Sequence, residues 1–587
     1  MCYGEIENNI TLVLESSLQS VLSSLNISLP SSDKIKVELE IPKDKSHGDL
    51  SSNIAMKISR IASMPPIKFA NLLKTKFEEM VPSSPHGGSV DLVEVKPPGF
   101  INFFVSKEYL FDTIKDVVRK GDNYGASDYG GGVKMQIEFV SANPTGPLTI
   151  AHARQAALGD SLANIMTFLN YDVTREYYLN DEGNQMNILG RSIRARYMSL
   201  CGREEPLPDD GYKGSYVIDI AKDIEKEHGR GYLNAEGIDH FREFGLAWIL
   251  ADIKKDLKDF GVNFDVWYSQ KSLRESGKVE KAVAILKDKG FVYESEQAVW
   301  FKSTLFGDDK DRVIYKSDGT ATYLTPDIAY HLEKFNRGFK KLIDIWGPDH
   351  HGYIPRMKAA VKALGYPEDS LSVLIVQLAT LYRNGQVLSM STRAGEFVTL
   401  REVMDEVGKD VARFCFIMRR MSSHLEFDMD VVKKESSENP VFYIQYAHAR
   451  IWSIFKYGKE ASPVTEIDRT SSATEIGGTL PVTEIGRTSL SAEFDPCLLK
   501  TPEEIEIMRE LRQFPAIVVS SAKMLEPYIV LQYLQDLAGS FHSFYNKHRV
   551  VGDDPNLTKA RVMLVNCIRI VLANGLRLLG VSLPKKM

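Results

Sequence analysis

Cysteine is scarce in this chain of 587 residues. The five present, Cys2, Cys201, Cys415, Cys497 and Cys567, stand far apart with no CxxC pair. That spacing excludes a disulfide framework and a cysteine-based metal site, and it suits a reducing cytoplasm. Also missing is any apolar run long enough to span a bilayer, and the opening MCYGEIENNI has no basic-plus-apolar leader pattern. No membrane is expected among the partners. There is no basic excess either: 72 Lys and Arg against 78 Asp and Glu leave a formal net charge of −6. Bulk attraction for a polyanion is thereby excluded, so any nucleic acid must be held by local basic surface.

What is there suits a large multidomain enzyme. The chain is 43% hydrophobic, ample for several cores, and its length implies roughly three to four domains at about 150 residues each. The most informative stretch is QIEFVSANPTGPLTIAHARQAALGD, from Gln136 to Asp160. Ile137 and Phe139 alternate with polar residues as in a strand, and Asn143 to Pro147 breaks the chain. From Ile150 onward Leu158, Leu162, Ile165 and Leu169 recur at helical spacing, and Tyr171 to Leu179 reads as a second strand. Such a strand, helix, strand unit puts its loop and helix N-terminus at the carboxyl edge of a parallel sheet, where nucleotides bind. His152 then falls in the first helical turn, placed to meet a phosphate, and small Ala151 beside it lets a flat ring approach the backbone. The motif recurs later: Thr325-Pro326-Asp327 predicts a helix start with Thr325 as N-cap. Strand Leu342 to Trp346 follows, then the loop Gly347 to Gly352 and a helix around Pro355 to Leu364. Asp349 and His350 on that loop are candidates to hold an adenosine.

SANPTGPLTIAHAR closely resembles the first signature of class I aminoacyl-tRNA synthetases, in the bacterial arginyl-tRNA synthetase form. The family carries His-Ile-Gly-His or His-Val-Gly-His there; this chain has Thr149-Ile150-Ala151-His152. The second signature, Lys-Met-Ser-Lys followed by Arg-Ala-Gly, appears as Ser389-Met390-Ser391-Thr392-Arg393-Ala394-Gly395. Both lysines are replaced, which leaves Arg393, Arg383 and Arg154 as the nearby cations for the β- and γ-phosphates.

The resemblance implies a Rossmann-type α/β catalytic domain with a parallel sheet over 126–398, carrying a helical insertion at about 185–300. It also implies an N-terminal α+β appended domain for tRNA over 1–125 and an all-α anticodon-binding bundle over 399–587. It implies a monomer that ligates L-arginine to its tRNA with ATP and Mg²⁺ and holds no structural metal of its own. Catalytic residues are then His152, Thr149, Met390, Ser391 and Arg393. ATP falls to Pro144, Thr145, Gly146, Pro147, Ala151 and His152, with Gly347, Asp349 and His350 at the adenosine. Arginine falls to Glu138 and Asn143 at its α-amino and carboxylate end, with Tyr323 and Asp327 reading the guanidinium. A carboxylate suits that task because a planar fork pairs best with a planar acid.

In the last third, Asp410 to Asp430 and Asn439 to Arg450 resemble the family's helical bundle. Tyr443, Gln445, Tyr446, His448 and Arg450 are of the types that stack on or bond splayed bases. Thr501-Pro502-Glu503-Glu504 predicts a capping box, and Val562, Leu564, Ile568, Leu572, Leu576 and Leu579 a closing helix. A low-complexity insert lies at about 459–499, where Thr465, Thr474 and Thr483 each begin a Thr-Glu-Ile triplet. From Val551 onward six basic residues face two acidic ones, a local net of +4, which points to RNA contact at the tail, Met587 included. The altered signatures leave two alternatives open. One is a catalytically impaired paralogue that binds tRNA or arginine; the other is a class I synthetase for another amino acid.

Overall fold

Ile6, Ile10, Leu14 and Leu18 recur at helical spacing and form the buried stripe of the helix Glu5–Ser24. That stripe packs on the helix Pro66–Met80 and on an antiparallel sheet of Leu50–Ser52, Phe100–Val105 and Val90–Lys96, with Phe103 at its centre. This N-terminal module has a core of its own. Arg512 of the C-terminal bundle reaches Glu7 at 3.3 Å and ties the two together. The structure, a computed structural model, describes residues 5–27, 36–40, 42, 44–81, 90–387, 398–433, 439–461 and 494–584.

The central layer is a five-stranded, wholly parallel sheet. Its strands are β1 (Lys134–Glu138), β2 (Asp172–Leu179), β3 (Val266–Ser269), β4 (Lys341–Trp346) and β5 (Leu371–Ile375), lying in the spatial order 5-4-1-2-3. The order reverses between β1 and β4, and such a switch point opens a crevice at the carboxyl ends of the strands. Helix α1 (Ile150–Phe168) follows β1, and α2 (Leu324–Asn336) and α3 (Ile354–Leu364) flank β4. Helix α1 is buried almost all round, which marks it as a core element between sheet and bundle. At Gly159 an added Cβ would stand 2.4 Å from the Phe139 ring, so only glycine lets α1 lie this close to the end of β1.

Two details differ from the sequence-based expectation. Helix α2 starts at Leu324, with Thr325 inside it rather than capping it. The Thr325 hydroxyl is committed elsewhere, donating to the Ile314 carbonyl at 2.6 Å. The stretch read as a helical insertion, 185–300, holds the helices Asn184–Leu200, Ser215–His228 and Asp239–Asp259, but then returns to the sheet as β3. After two more helices a small antiparallel sheet forms from Val292–Ser295, Ala298–Phe301 and Arg312–Tyr315.

The remainder is mainly helical. Helices α4 (Pro440–Ala461), α5 (Pro502–Met524), α6 (Tyr528–Lys547) and α7 (Pro555–Leu578) form the bundle. The capping box at Thr501 and Glu504 is present, with the Glu504 carboxylate accepting from Thr501 N at 2.9 Å. Leu425–Asp428 is a strand rather than a helix, paired in parallel with Ala379–Arg383. The chain therefore recrosses to the catalytic side after residue 398 before the bundle begins. The triplet repeat lies outside the described residues.

Candidate active site at the carboxyl edge of the sheet

Beyond β1 the backbone turns through Val140 (φ 69°) and Ser141 (φ 38°), both in the left-handed region. For a β-branched valine this is costly, and such strain persists only where the surroundings over-determine it. Here they do: the Tyr177 hydroxyl donates to Ala142 O at 2.8 Å, and Tyr216 of the insertion donates to Thr145 O at 2.7 Å. Pro144 is buried and Asn143 exposed, its side chain donating to Gln185 at 2.8 Å. Thr145, Gly146 and Pro147 are half-buried. Loop 143–147 is thus a braced shelf.

Thr149 caps α1, and its backbone N–H donates to His152 Nδ1 at 3.2 Å. With Nδ1 accepting, the neutral ring carries its proton on Nε2 and can donate to a phosphate oxygen. Burial pushes the His152 pKa down to about 4, against the pull of Asp349. That electrostatic contact places the loop after β4 beside α1. Gly347 of that loop lies close to α1: a Cβ added there would stand 3.7 Å from Gln155 Nε2. Asp349 and His350 are both exposed and stand 3.4 Å apart.

The chain that follows the second signature is anchored against the first. Thr149 and Thr399 form an antiparallel bridge, and Leu400 N donates to Leu148 O at 2.8 Å. Met390, Ser391 and Arg393 lie outside the described residues. Of the cations considered for the triphosphate, Arg154 is excluded: it is fully buried and donates to the carbonyls of Gln377 at 2.7 Å and Arg420 at 3.0 Å. Arg383 is paired with Glu406 at 2.5 Å.

The expected arginine residues lie on the same edge. Tyr323 is 79% exposed at the head of α2. Asp327 accepts from the Tyr353 hydroxyl at 2.6 Å, and burial raises its pKa despite that bond. Tyr178 stacks on Tyr330 at 4.3 Å and donates to Gln270 at 3.2 Å. Glu138 ends β1 and accepts from Lys334 Nζ at 2.6 Å and from the Ser141 hydroxyl at 3.0 Å. Sequence reasoning passed over Lys334, Asp344, Glu176 and Arg337, which are ion-paired here, and His331, whose Nε2 lies 2.8 Å from Asp344. The available signal was a polar stripe at helical spacing, Asp327, His331 and Lys334, and a lone Asp344 within the apolar run of β4.

The candidate RNA residues divide. Tyr446 and Arg450 line a groove of about 740 Å³ with Tyr545, Lys547 and Arg549. The Arg450 guanidinium lies 4.2 Å from the Tyr545 ring and 5.4 Å from Tyr446. Tyr443 is half-buried, its ring 4.6 Å from His542. Gln445 and His448 are not groove residues: both are buried and hold the C-terminal segment, Gln445 donating to Ser582 O at 3.1 Å and His448 to Pro584 O at 2.9 Å. Two of the tail's basic residues are committed, Arg561 on Glu504 at 2.8 Å and Arg577 on Asp122 at 3.3 Å. Met587 lies outside the described residues.

Three family models match in chain order: "Arginyl tRNA synthetase N terminal domain" over 12–105, "tRNA synthetases class I (R), catalytic domain" over 113–426 and "DALR anticodon binding domain" over 444–587. The arginine–tRNA ligase of Geobacillus kaustophilus is 46% identical over 570 residues, covering 96% of this chain and 97% of that one. The chain belongs to the arginyl-tRNA synthetase family. The arginine–tRNA ligase of Bacillus subtilis is 45% identical over 555 residues, 94% of each chain. Among solved structures, the arginyl-tRNA synthetase of Thermus thermophilus superposes with a TM-score of 0.73 at 19% identity, covering 99% of this chain and all (100%) of that one. That likeness concerns the fold. Family membership accounts for the Rossmann-type sheet, the N-terminal module and the helical bundle together. Among the described residues no helix is long and apolar enough to cross a membrane.

Proposed function

We propose that this chain is an arginine–tRNA ligase, joining L-arginine to its tRNA through an arginyl-adenylate at the expense of ATP. The observation that carries the reading is the Thr149–Thr399 bridge. It sets Thr149 of the first altered signature beside Thr399, which closely follows the second in the chain, at the switch point of the sheet, where ATP and amino acid must meet. In the first step a carboxylate oxygen of arginine attacks the α-phosphorus, and the bond to the β-phosphate breaks as pyrophosphate leaves. Side chains do little covalent work in such a step; they position the reactants and stabilise developing charge.

In this reading the shelf Pro144 to Pro147, Ala151 and neutral His152 receive the nucleotide, supplied as its magnesium complex. Gly347, Asp349 and His350 face the adenosine. Glu138 and Asn143 meet the α-amino and carboxylate groups of arginine, and Tyr323 and Asp327 its guanidinium. Met390, Ser391 and Arg393 act on the leaving pyrophosphate, with Arg393 in place of the lost lysines. Tyr446 and Arg450 stack on splayed anticodon bases, which suits an open groove lined by rings and a guanidinium. In this reading the chain works as a monomer, in cytoplasmic translation.

Arginine-dependent exchange of pyrophosphate into ATP, measured with and without tRNA and against other amino acids, tests the reading. Exchange specific to arginine is expected. Absence of exchange under both conditions, with tRNA binding retained, would instead identify a binding paralogue.

A further inference from the structure

The register of the sheet sets three carboxylates in one row. Asp344 of β4 pairs with Glu138 of β1, and Glu138 with Glu176 of β2. Neighbouring strands lie only about 4.8 Å apart, and all three side chains are buried. Like charges so close in a dry setting do not stay ionised without cations beside them. The compensation is unequal. Glu176 has Arg337 to itself, through two bonds of 2.6 and 2.7 Å, and accepts from the Tyr330 hydroxyl at 2.6 Å. Asp344 accepts from Lys334 at 2.8 Å and lies 2.8 Å from His331 Nε2. Glu138 has the Ser141 hydroxyl and the same Lys334, at 2.6 Å. One fully buried ammonium thus serves two carboxylates, and the other partner of Glu138 is a hydroxyl.

We infer that Lys334 is a positioning residue for arginine: it holds Glu138 as a fixed, undercompensated carboxylate that is completed by a cationic group of the substrate. The inference rests on the reading of Glu138 given above. Electrostatics agree with it. Burial would lower the Lys334 pKa, but Asp344 and Glu138 raise it to about 12, so the side chain stays charged. Burial raises the Glu138 pKa even with Lys334 opposing it. Removing the ammonium therefore lets Glu138 take up a proton and lose its attraction for a cation. The groups facing Glu138 are Lys334, His331 and Tyr330 from α2, Asp344 from β4, Glu176 and Tyr178 from β2, and Ser141 from the loop.

The test compares Lys334→Met, Lys334→Gln, Lys334→Arg and Glu138→Gln in the full chain. Readouts are KM for arginine and kcat in pyrophosphate exchange across pH, with a melting curve for each variant. Loss of a charged hydrogen bond to Glu138 should raise KM for arginine roughly 10- to 100-fold, with a smaller change in kcat. In the Met and Gln variants kcat/KM for arginine should climb as pH rises, as the unpaired buried carboxyl ionises, where the native profile stays flat. Lys334→Arg should restore most of the affinity and the native profile. Should Lys334→Met not fold, Lys334→Gln keeps a neutral donor at similar length and answers the same question. A folded Met or Gln variant that melts earlier yet keeps the native KM and pH profile makes Lys334 a mere clamp and overturns the inference. A native KM in Glu138→Gln would overturn the assignment of Glu138 itself, whatever Lys334 does.

Discussion

In the row of carboxylates across the sheet the charged side chains are enclosed and paired, Lys334 between Glu138 and Asp344 and Arg337 on Glu176. The helical groove is more open: Tyr446 is 38% exposed, and Arg450 rests on the Tyr545 ring, although Lys547 at the groove's side pairs with Glu503 at 2.8 Å. The difference follows from what each region meets. A small amino acid must be fixed to within a fraction of an ångström of the α-phosphate, so the groups that hold it are themselves locked by second partners. Splayed bases bring large flat faces, and half-exposed rings beside a guanidinium accept them with little geometric demand. The unexpected roles of Gln445 and His448 fit this division, since locking the tail at Ser582 and Pro584 steadies the bundle beside the groove.

If that division is right, damage at the two regions must appear in different measurements. The largest effect is expected at His152. His152→Ala should lower arginine-dependent pyrophosphate exchange roughly 100-fold or more, since a donor aimed at developing phosphate charge is lost. Native turnover in a folded variant would remove His152 from the chemistry. In the groove, Tyr446→Ala and Arg450→Ala should each raise KM for tRNA by roughly 5- to 100-fold, the scale of one base stack. At saturating tRNA the kcat for charging should stay near native; a kcat loss without a KM change would break the contrast.

The pH dependence of stability sharpens it further. The folded pKa of His152 is about 4, below its ordinary value. The unfolded chain therefore takes up the proton first as pH falls. The corresponding stability is full above about pH 6.5 and is lost as pH drops through about 4, with a slope of at most about 1.4 kcal/mol per pH unit. His152→Gln should flatten denaturant-measured stability against pH in that window, and an unchanged slope would show that the imidazole is not held neutral. The smallest effect is expected at the tail. Deleting residues 584–587 should raise KM for tRNA a few-fold, about 1 kcal/mol for a lost hydrogen bond. Because His448 acts through Pro584, His448→Ala combined with the deletion should cost no more than the deletion alone. Additive losses would mean that His448 has a separate role in RNA binding.

Local pattern determined much of this protein. The alternation at Ile137 and Phe139, the break at 143–147 and the helical spacing from Ile150 are short-range signals, and strand, loop and helix α1 lie where they point. The capping box at Thr501 and Glu504 is equally local, two side chains within one turn. The same holds for the placing of Thr149, His152, Gly347, Asp327 and Glu138 at one sheet edge, because a parallel α/β unit fixes which end of each strand bears the loops.

What tertiary structure alone decided are the partnerships of buried polar groups. Periodicity reports that a face is covered, never by what. Lys334 meets Glu138 across 196 residues of sequence, Arg154 is drawn to carbonyls 223 and 266 residues away, and His448 closes on Pro584 across 136. Each of these depends on strand order and helix packing, since desolvating a charge is tolerable only where the fold brings a second polar group within about 3 Å. Sequence alone therefore made Arg154 a free cation and Gln445 a reader of bases. The assembled core had already claimed both.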